Sequence, residues 1–253
     1  MGTAIILKSP REIQIMLEAN QIVADTLVML QKNLTIGMTT MDLDAMAEEF
    51  ARSRGGIPAF KGYRGFPGSL CVSINEQVVH GIPSSKVILR DGDIVSIDFG
   101  VNYKGYFGDS AITIPVGKVG NRVEELIRVT SQSLDKAIEQ ARVGNRINDI
   151  SRAVQQHVEK NKFNVVRQFV GHGIGSQLHE PPEIPNYSRT GRTPRLLSGM
   201  VLAIEPMVNI GGYQVKVLKD GWTVVTADKS PSAHFEHSVL ITDDEPVVLS
   251  RRK

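Results

Sequence analysis

The chain of 253 residues has one cysteine, Cys71, and one tryptophan, Trp222. A single cysteine excludes an internal disulfide and fits a reducing compartment, so a cytoplasmic location is expected. Charge of one sign is equally scarce. Twenty-nine Lys and Arg against 27 Asp and Glu leave +2, too little to argue for nucleic acid. No apolar run approaches the roughly 18 residues of a bilayer span. The opening Met1-Gly-Thr-Ala-Ile-Ile-Leu-Lys8 has too short an apolar stretch for a secretory signal. What remains, 41% hydrophobic and 22% charged, is the composition of an ordinary globular protein. Its length can bury a large core as one domain or as two fused halves.

Against that background five polar residues stand inside otherwise apolar segments. They are Asp98 in Ile-Val-Ser-Ile-Asp-Phe-Gly, Asp109 in Tyr-Phe-Gly-Asp-Ser-Ala, His172 in Gly-His-Gly-Ile-Gly, Glu205 in Leu-Ala-Ile-Glu-Pro and Glu236 in His-Phe-Glu-His-Ser-Val. A carboxylate at the end of a buried strand is costly unless something positive meets it. Four converging carboxylates would raise one another's pKa values and stay partly protonated. Two divalent cations remove that conflict. Oxygen-rich ligation with one imidazole suits Mn, Fe or Co better than a thiolate zinc site. A lone buried Asp or His is more often a satisfied structural group; five together point to a two-metal hydrolase.

The chain also repeats itself once. Ser9-Pro10-Arg11-Glu12 has capping-box spacing with Pro at the first helical position. Apolar residues then recur at helical spacing to Leu30, and Gly37 breaks the pattern. A second helix carries Leu43, Met46, Ala47 and Phe50 on one face and ends at Gly55-Gly56. The pattern returns as helices over Val123–Arg142 and Ile147–Lys160, broken by Gly144. Gly37, Asp42 and Leu43 lie 107 residues before Gly144, Asp149 and Ile150, and Gly92 to Asp98 lies 107 before Gly199 to Glu205. Both of these last segments read as strands that end in an acid. Val79-His80-Gly81-Ile82 echoes Gly171-His172-Gly173-Ile174 at another offset, with Pro181 to Arg195 as the compensating insertion. The reading is an α+β duplication, one domain over 1–253 with halves at about 9–118 and 119–250.

Six motifs in order carry a resemblance: Ser73-Ile-Asn-Glu-Gln-Val-Val-His80-Gly-Ile-Pro83, Ile97-Asp98-Phe-Gly, Gly108-Asp109-Ser110, Gly171-His172-Gly-Ile-Gly175 followed by His179-Glu-Pro-Pro182, Ile204-Glu205-Pro206 and Phe235-Glu236-His237-Ser238. Together they resemble type I methionine aminopeptidases over nearly the whole chain. The resemblance implies the pita-bread fold, two pseudo-symmetric halves with antiparallel sheet backed by helices. It implies a monomer that removes the N-terminal methionine from nascent polypeptides and peptides, favouring a small second residue. The cofactor it implies is two divalent ions, Mn, Fe or Co, with Zn also admitted. Asp98 matches a ligand of one ion, His172 and Glu205 ligands of the other, and Asp109 and Glu236 the bridging pair. Glu205 doubles as general base. His80 and His179 match the two histidines beside the substrate. Tyr63, Phe66, Cys71 and Trp222 match the methionine pocket. Phe60, Phe66 and Leu178 depart from the residues common at their positions in bacterial relatives, which puts pocket shape rather than reaction in question.

Rival readings remain at this level. An Xaa-Pro aminopeptidase of the same fold would carry an added N-terminal domain and a further histidine pattern. A non-catalytic binding protein would have lost ligand positions that are all filled here. His157 and His234 read as surface or structural. His237 would face away from the site if Glu236 lies on a strand. Cys71 reads as a pocket or core residue rather than a nucleophile. The glycines around His172 lack phosphate-loop spacing and read as allowing close backbone approach. Arg189, Arg192, Arg195 and the tail Arg251-Arg252-Lys253 read as solvated surface; the sharper alternative is weak docking to ribosomal RNA.

Overall fold

The computed structural model describes residues 4–252. Four helices organise it: α1 Pro10–Asn33, α2 Thr40–Ser53, α3 Asn121–Glu139 and α4 Ile147–Lys160. The strands are β1 Ile57–Pro58, β2 Cys71–Ile74, β3 Gln77–Val79, β4 Ile94–Tyr103, β5 Tyr106–Pro115, β6 Asn164–Val165, β7 Gly171–Gly173, β8 Glu180–Ile184, β9 Val201–Ile204, β10 Met207–Asn209, β11 Val215–Val217, β12 Val224–Thr226, β13 Ser232–His234, β14 His237–Leu240 and β15 Val247–Val248. The capping box at Ser9 and Glu12 forms as the sequence indicates. Helix α4 has the predicted ends, and α3 is shifted a few residues towards the N-terminus of its predicted span. Gly37 and Gly144 occupy the left-handed region, at φ 94° and 95°. The same turn conformation therefore separates the two helices of each pair, where glycine has no Cβ to clash.

The described ladders are all antiparallel, but they form four groups rather than one continuous sheet. In one, β4 pairs with β1, β2 and β5; in another the order is β15-β14-β9-β7-β8. Helix α1 packs on β4 and β5. It is long and apolar enough to cross a bilayer, but half of the qualifying window is buried in the fold. Its Met16, Ala19, Val23 and Leu27 pack against neighbours of its own core. One face of β4, with Val95, Ile97, Phe99 and Val101, is apolar and buried, the other carries Ser96 and Asp98, and α1 packs on the strand.

One expectation fails here. Asp98 does not end its strand. The β4–β5 hairpin continues to Tyr103 and Tyr106, turning at Lys104 and Gly105, both at positive φ. A two-residue turn of that handedness matches strand twist, so the ladder extends past the acid. Asp98 and Asp109 therefore both sit mid-strand. The second half keeps the predicted form, with Glu205 directly after β9.

The strand carrying Asp109 touches α1 closely. A Cβ on Gly108 would lie 2.7 Å from the Asn20 amide nitrogen and 2.9 Å from the Ala19 carbonyl carbon. Gly108→Ala should push backbone from backbone and cost about 1–3 kcal/mol of unfolding free energy, as overpacking does. Urea denaturation measures it, and an unchanged midpoint would contradict the close approach.

Candidate active site

The two acids of the first half meet by register. Asp98 stands opposite Ala111, and Asp109 stands opposite Gly100 two residues away, so the two carboxylates are diagonal neighbours on one face. The second half repeats the device. His172 stands opposite Ala203, and Glu205 lies two residues beyond Ala203. Next to His172 a register shift separates β7 from β8. Gly173 makes that bulge feasible, since a Cβ there would sit 2.2 Å from the Pro181 carbonyl oxygen. The glycines around His172 thus admit neighbouring strands, as their pattern suggested.

Hydroxyls join the halves. Ser110 Oγ donates to the Glu236 carbonyl at 2.6 Å, Glu236 N donates to the Ala111 carbonyl at 3.0 Å, and Ser238 Oγ donates to the Asp109 carbonyl at 2.9 Å. Glu236 lies between β13 and β14 and is delivered to the acids of β4 and β5 by this seam.

Every candidate site residue lines one cavity of about 290 Å³. One wall is polar: Asp98, Asp109, His172, Glu205 and Glu236. The other is apolar: Phe60, Phe66, Cys71, Leu178 and Trp222, with Tyr63, His80 and His179 at the junction. Burial, reinforced by neighbouring carboxylates, pushes Asp98, Glu205 and Glu236 well above the usual carboxylate range. Burial alone drives Asp109 up to about 7, against a lowering hydrogen bond from Ser110. Asp98 Oδ1, Asp109 Oδ1 and Glu236 Oε1 are buried without a partner. Orphaned acceptors of that kind call for a cation. Asp109, His172 and Glu236 offer ligand atoms within 4.8 Å of one another. Desolvation depresses His172 to about 4. Its Nδ1 is 2.9 Å from the Gly173 carbonyl, an acceptor, so Nδ1 carries the proton. Nε2 is left with a lone pair facing the acids, 3.6 Å from Glu205 Oε1. These residues fit a divalent cation.

His179 is likewise depressed, to about 3, by desolvation and then by His172. Its Nδ1 lies 2.8 Å from the Tyr63 hydroxyl. Tyr63 therefore holds a ring of the junction as well as bordering the pocket. His80 meets Phe169 and Trp222 edge to face. Burial lowers its pKa to about 4. Cys71 pairs in register with Asp98, and burial followed by the Asp98 and Asp109 charges raises its thiol well above normal. A thiol held protonated is a poor nucleophile, in keeping with a pocket wall.

The profile of metallopeptidase family M24 matches residues 14–243. The chain belongs to metallopeptidase family M24. A methionine aminopeptidase of Clostridium perfringens is 54% identical over 97% of this chain and 98% of its own length. Methionine aminopeptidase 1 of Bacillus subtilis is 53% identical over 98% of this chain and 99% of its own. The crystal structure of a methionine aminopeptidase from Thermotoga maritima superposes with a TM-score of 0.96 at 45% identity, covering 98% of this chain and all of that one. A prolidase of Pyrococcus horikoshii shares the fold at a TM-score of 0.78 and 24% identity, this chain spanning 64% of it. The resemblance carried by the six motifs holds, and with it the pita-bread architecture. Divalent-metal peptidase chemistry follows from the family and from the ligand cluster.

This M24 chain corrects one reading, narrows another and adds residues. His234 is no surface residue. It is buried, and its Nε2, otherwise unpartnered, lies 3.6 Å from Glu205 Oε2. Thr113 hydrogen-bonds both its backbone groups and turns the ring inward. Nor is the tail wholly solvated. Arg251 is exposed, but Arg252 folds back to donate to Ser110 Oγ at 3.1 Å. Lys253 lies outside the described residues. His237 faces Ser250 at 2.8 Å, on the side away from the cavity. Arg64, Val79, Gln168, Phe169, Val170 and Met207 also line the cavity. Gln168-Phe-Val170 runs directly into Gly171-His172, a signal that could have found them.

The raised carboxyls set a pH dependence for cation-stripped protein. In the fold they hold protons that the unfolded chain has already lost, so their stabilisation is present at low pH and lost as pH rises through their folded values. The depressed imidazoles act in the opposite sense, but only below their unfolded pKa of about 6.5. Between about pH 7 and 9 the raised carboxyls remain, joined near the top of the window by the raised Cys71 thiol, which acts in the same sense. The melting temperature of stripped protein should therefore fall across that window, and Mn²⁺ at pH 8 should restore it by replacing the protons. A melting temperature indifferent to both pH and Mn²⁺ would show that the cluster takes no cation.

Proposed function

We propose that this chain is a methionine aminopeptidase that releases the first residue of nascent polypeptides and peptides beginning with methionine, favouring a small second residue. The single observation that carries the reading is the two-faced cavity: a cluster of metal-ligating groups opens directly into an apolar pocket of side-chain size. Asp98 would hold one divalent ion, His172 and Glu205 a second, with Asp109 and Glu236 shared; Mn, Fe or Co suits this donor set and Zn is admissible. When bound, such ions supply Lewis acidity and activate a water at neutral pH.

The chain's own residues do the rest. Phe60, Phe66, Cys71, Leu178 and Trp222 hold the thioether by apolar contact, with Tyr63 at the rim. Glu205, buried and with a raised pKa, accepts the proton of the attacking water. With Tyr63 donating into Nδ1, the Nε2 of His179 carries the ring proton and donates to the oxyanion as it forms. His80, kept neutral by burial, binds the scissile amide or the residue beyond it. The reading includes a cytoplasmic monomer built as one domain of two halves, about 9–118 and 119–250. Arg189, Arg192 and Arg195 are exposed, and a weak ribosome contact, if made, would fall on them.

Two measurements test it. Met-Ala-Ser should be cut roughly 10- to 200-fold faster than Ala-Ala-Ser, the range that lost apolar contacts worth about 1–3 kcal/mol provide. Equal turnover would mean the pocket is misassigned. His179→Ala should keep its cations and its KM and lose about 100- to 1,000-fold in kcat, as removal of one oxyanion donor does. Loss of a cation in that variant would make His179 a ligand instead.

A further inference from the structure

His179 stands on a segment with no ladder to hold it. Residues 174–179 lie between β7 and β8, and His179 itself is exposed. Besides the Tyr63 hydroxyl on the His179 ring, one buried side-chain pair fastens the segment. Glu180, the first residue of β8, is buried; its Oε1 accepts from the Gln177 amide at 3.1 Å and its Oε2 accepts from Lys8 Nζ at 2.5 Å. Both side chains of this pair are only 3% exposed. Lys8 is fixed in turn, its Nζ donating to the Ile6 carbonyl at 3.0 Å and its backbone N–H to the Gly199 carbonyl at 2.7 Å. Gly175 lies directly on the pair: a Cβ there would be 2.4 Å from Lys8 Cε and 2.5 Å from Glu180 Oε1. The carbonyl of Gly175 accepts from Phe107 N at 2.9 Å, two residues before Asp109.

A buried ion pair contributes little net stability, because desolvation of both charges offsets their attraction. Its value lies in geometry, since the two charges must meet while Lys8 Nζ also holds the Ile6 carbonyl and Glu180 Oε1 also holds the Gln177 amide. We propose that Lys8 and Glu180 are positioning residues that fix the 175–180 segment and aim the His179 ring at the reacting carbonyl. The inference rests on the role given to His179 above. It makes the stretch preceding α1 part of the active-site apparatus, although neither side chain lines the cavity. Glu180 sits next to His179 in the chain, so a shift of its carboxylate moves the ring. A misplacement of about 1 Å in a catalytic group can cost on the order of 100-fold.

The test uses Mn²⁺-loaded full-length protein and Met-Ala-Ser. Removing one partner leaves a buried charge and destabilises, whereas replacing both with apolar residues is often neutral. Lys8→Met/Glu180→Leu should therefore keep wild-type melting temperature, Mn²⁺ affinity and KM, yet lose roughly 10- to 100-fold in kcat. Placed in the His179→Ala background, the same pair of changes should cost almost nothing further, because its effect passes through His179. Should the double variant fail to fold, Lys8→Met/Glu180→Gln, which also removes both charges but keeps an acceptor for the Gln177 amide, carries the same two measurements. The proposal is overturned by unchanged kcat, or by an equal loss of kcat with and without His179. Normal turnover by His179→Ala alone would instead overturn the role of His179 and leave a purely structural pair.

Discussion

Four carboxyl groups share one cavity wall, and among the described residues no Lys or Arg forms a salt bridge with any of them. Asp98, Asp109, Glu205 and Glu236 are all pushed upward in pKa, mainly by burial. Their close approach is unfavourable for the protein alone. The remaining architecture works as a frame that holds this arrangement against its own repulsion. Strands β4 and β5 provide ten residues each with Asp98 and Asp109 near the middle, where ladder bonds on both sides restrain them. Helix α1 presses on Gly108 behind Asp109. A frame of this rigidity favours cation binding, since little order has to be gained when the ion arrives.

Where β5 of the first half meets β13 and β14 of the second, the strands form no common ladder, unlike β3 and β12, which pair across the halves. Hydroxyls replace it. Ser110 and Ser238 exchange hydrogen bonds with the backbone at Glu236 and Asp109, while Ser96 and Thr113 bind each other and Thr113 binds His234. A short hydroxyl spans a gap that two pleated edges cannot close and satisfies buried backbone groups that would otherwise be orphaned. Arg252 extends the same network from the tail by donating to Ser110. The position of Glu236 thus depends on residues that never face the cavity.

Much of this was legible in the sequence because the signals are local. The Ser9 capping box, Gly37, Gly144 and the bounds of α4 each follow from residues within a turn or two. The acids were legible for another reason: each alone has a structural explanation, but five such polar residues inside apolar segments together do not. The strand ending assigned to Asp98 failed because hairpin length is set by the Lys104-Gly105 turn, which a register comparison with Glu205 does not detect. His234 and Arg252 were missed for a different reason. Nothing near them in sequence reveals that Thr113 turns one inward and that Ser110, 142 residues away, receives the other. The cavity's further residues at 168–170 carry only their adjacency to Gly171-His172 as a signal, since Phe169 and Val170 are ordinary apolar residues by type.

The apolar wall shows how a departure in sequence is absorbed in space. Phe60 is bulky for a position beside the paired acids, yet its ring is only 8% exposed and packs into the floor of the cavity. Gly100 is what admits it: a Cβ there would come within 2.7 Å of Phe60 Cε1 and 3.1 Å of Cζ. Gly100 is also the register partner of Asp109. The same glycine therefore seats an aromatic ring against the hairpin and leaves the backbone opposite Asp109 unobstructed. Any side chain at 100 would have to displace either the ring that closes the pocket or the strand that carries the acid. Pocket depth and cation geometry are consequently coupled through one missing methyl group. A smaller residue at 60 would deepen the pocket without disturbing the acids, whereas a larger residue at 100 could not be accommodated on either side.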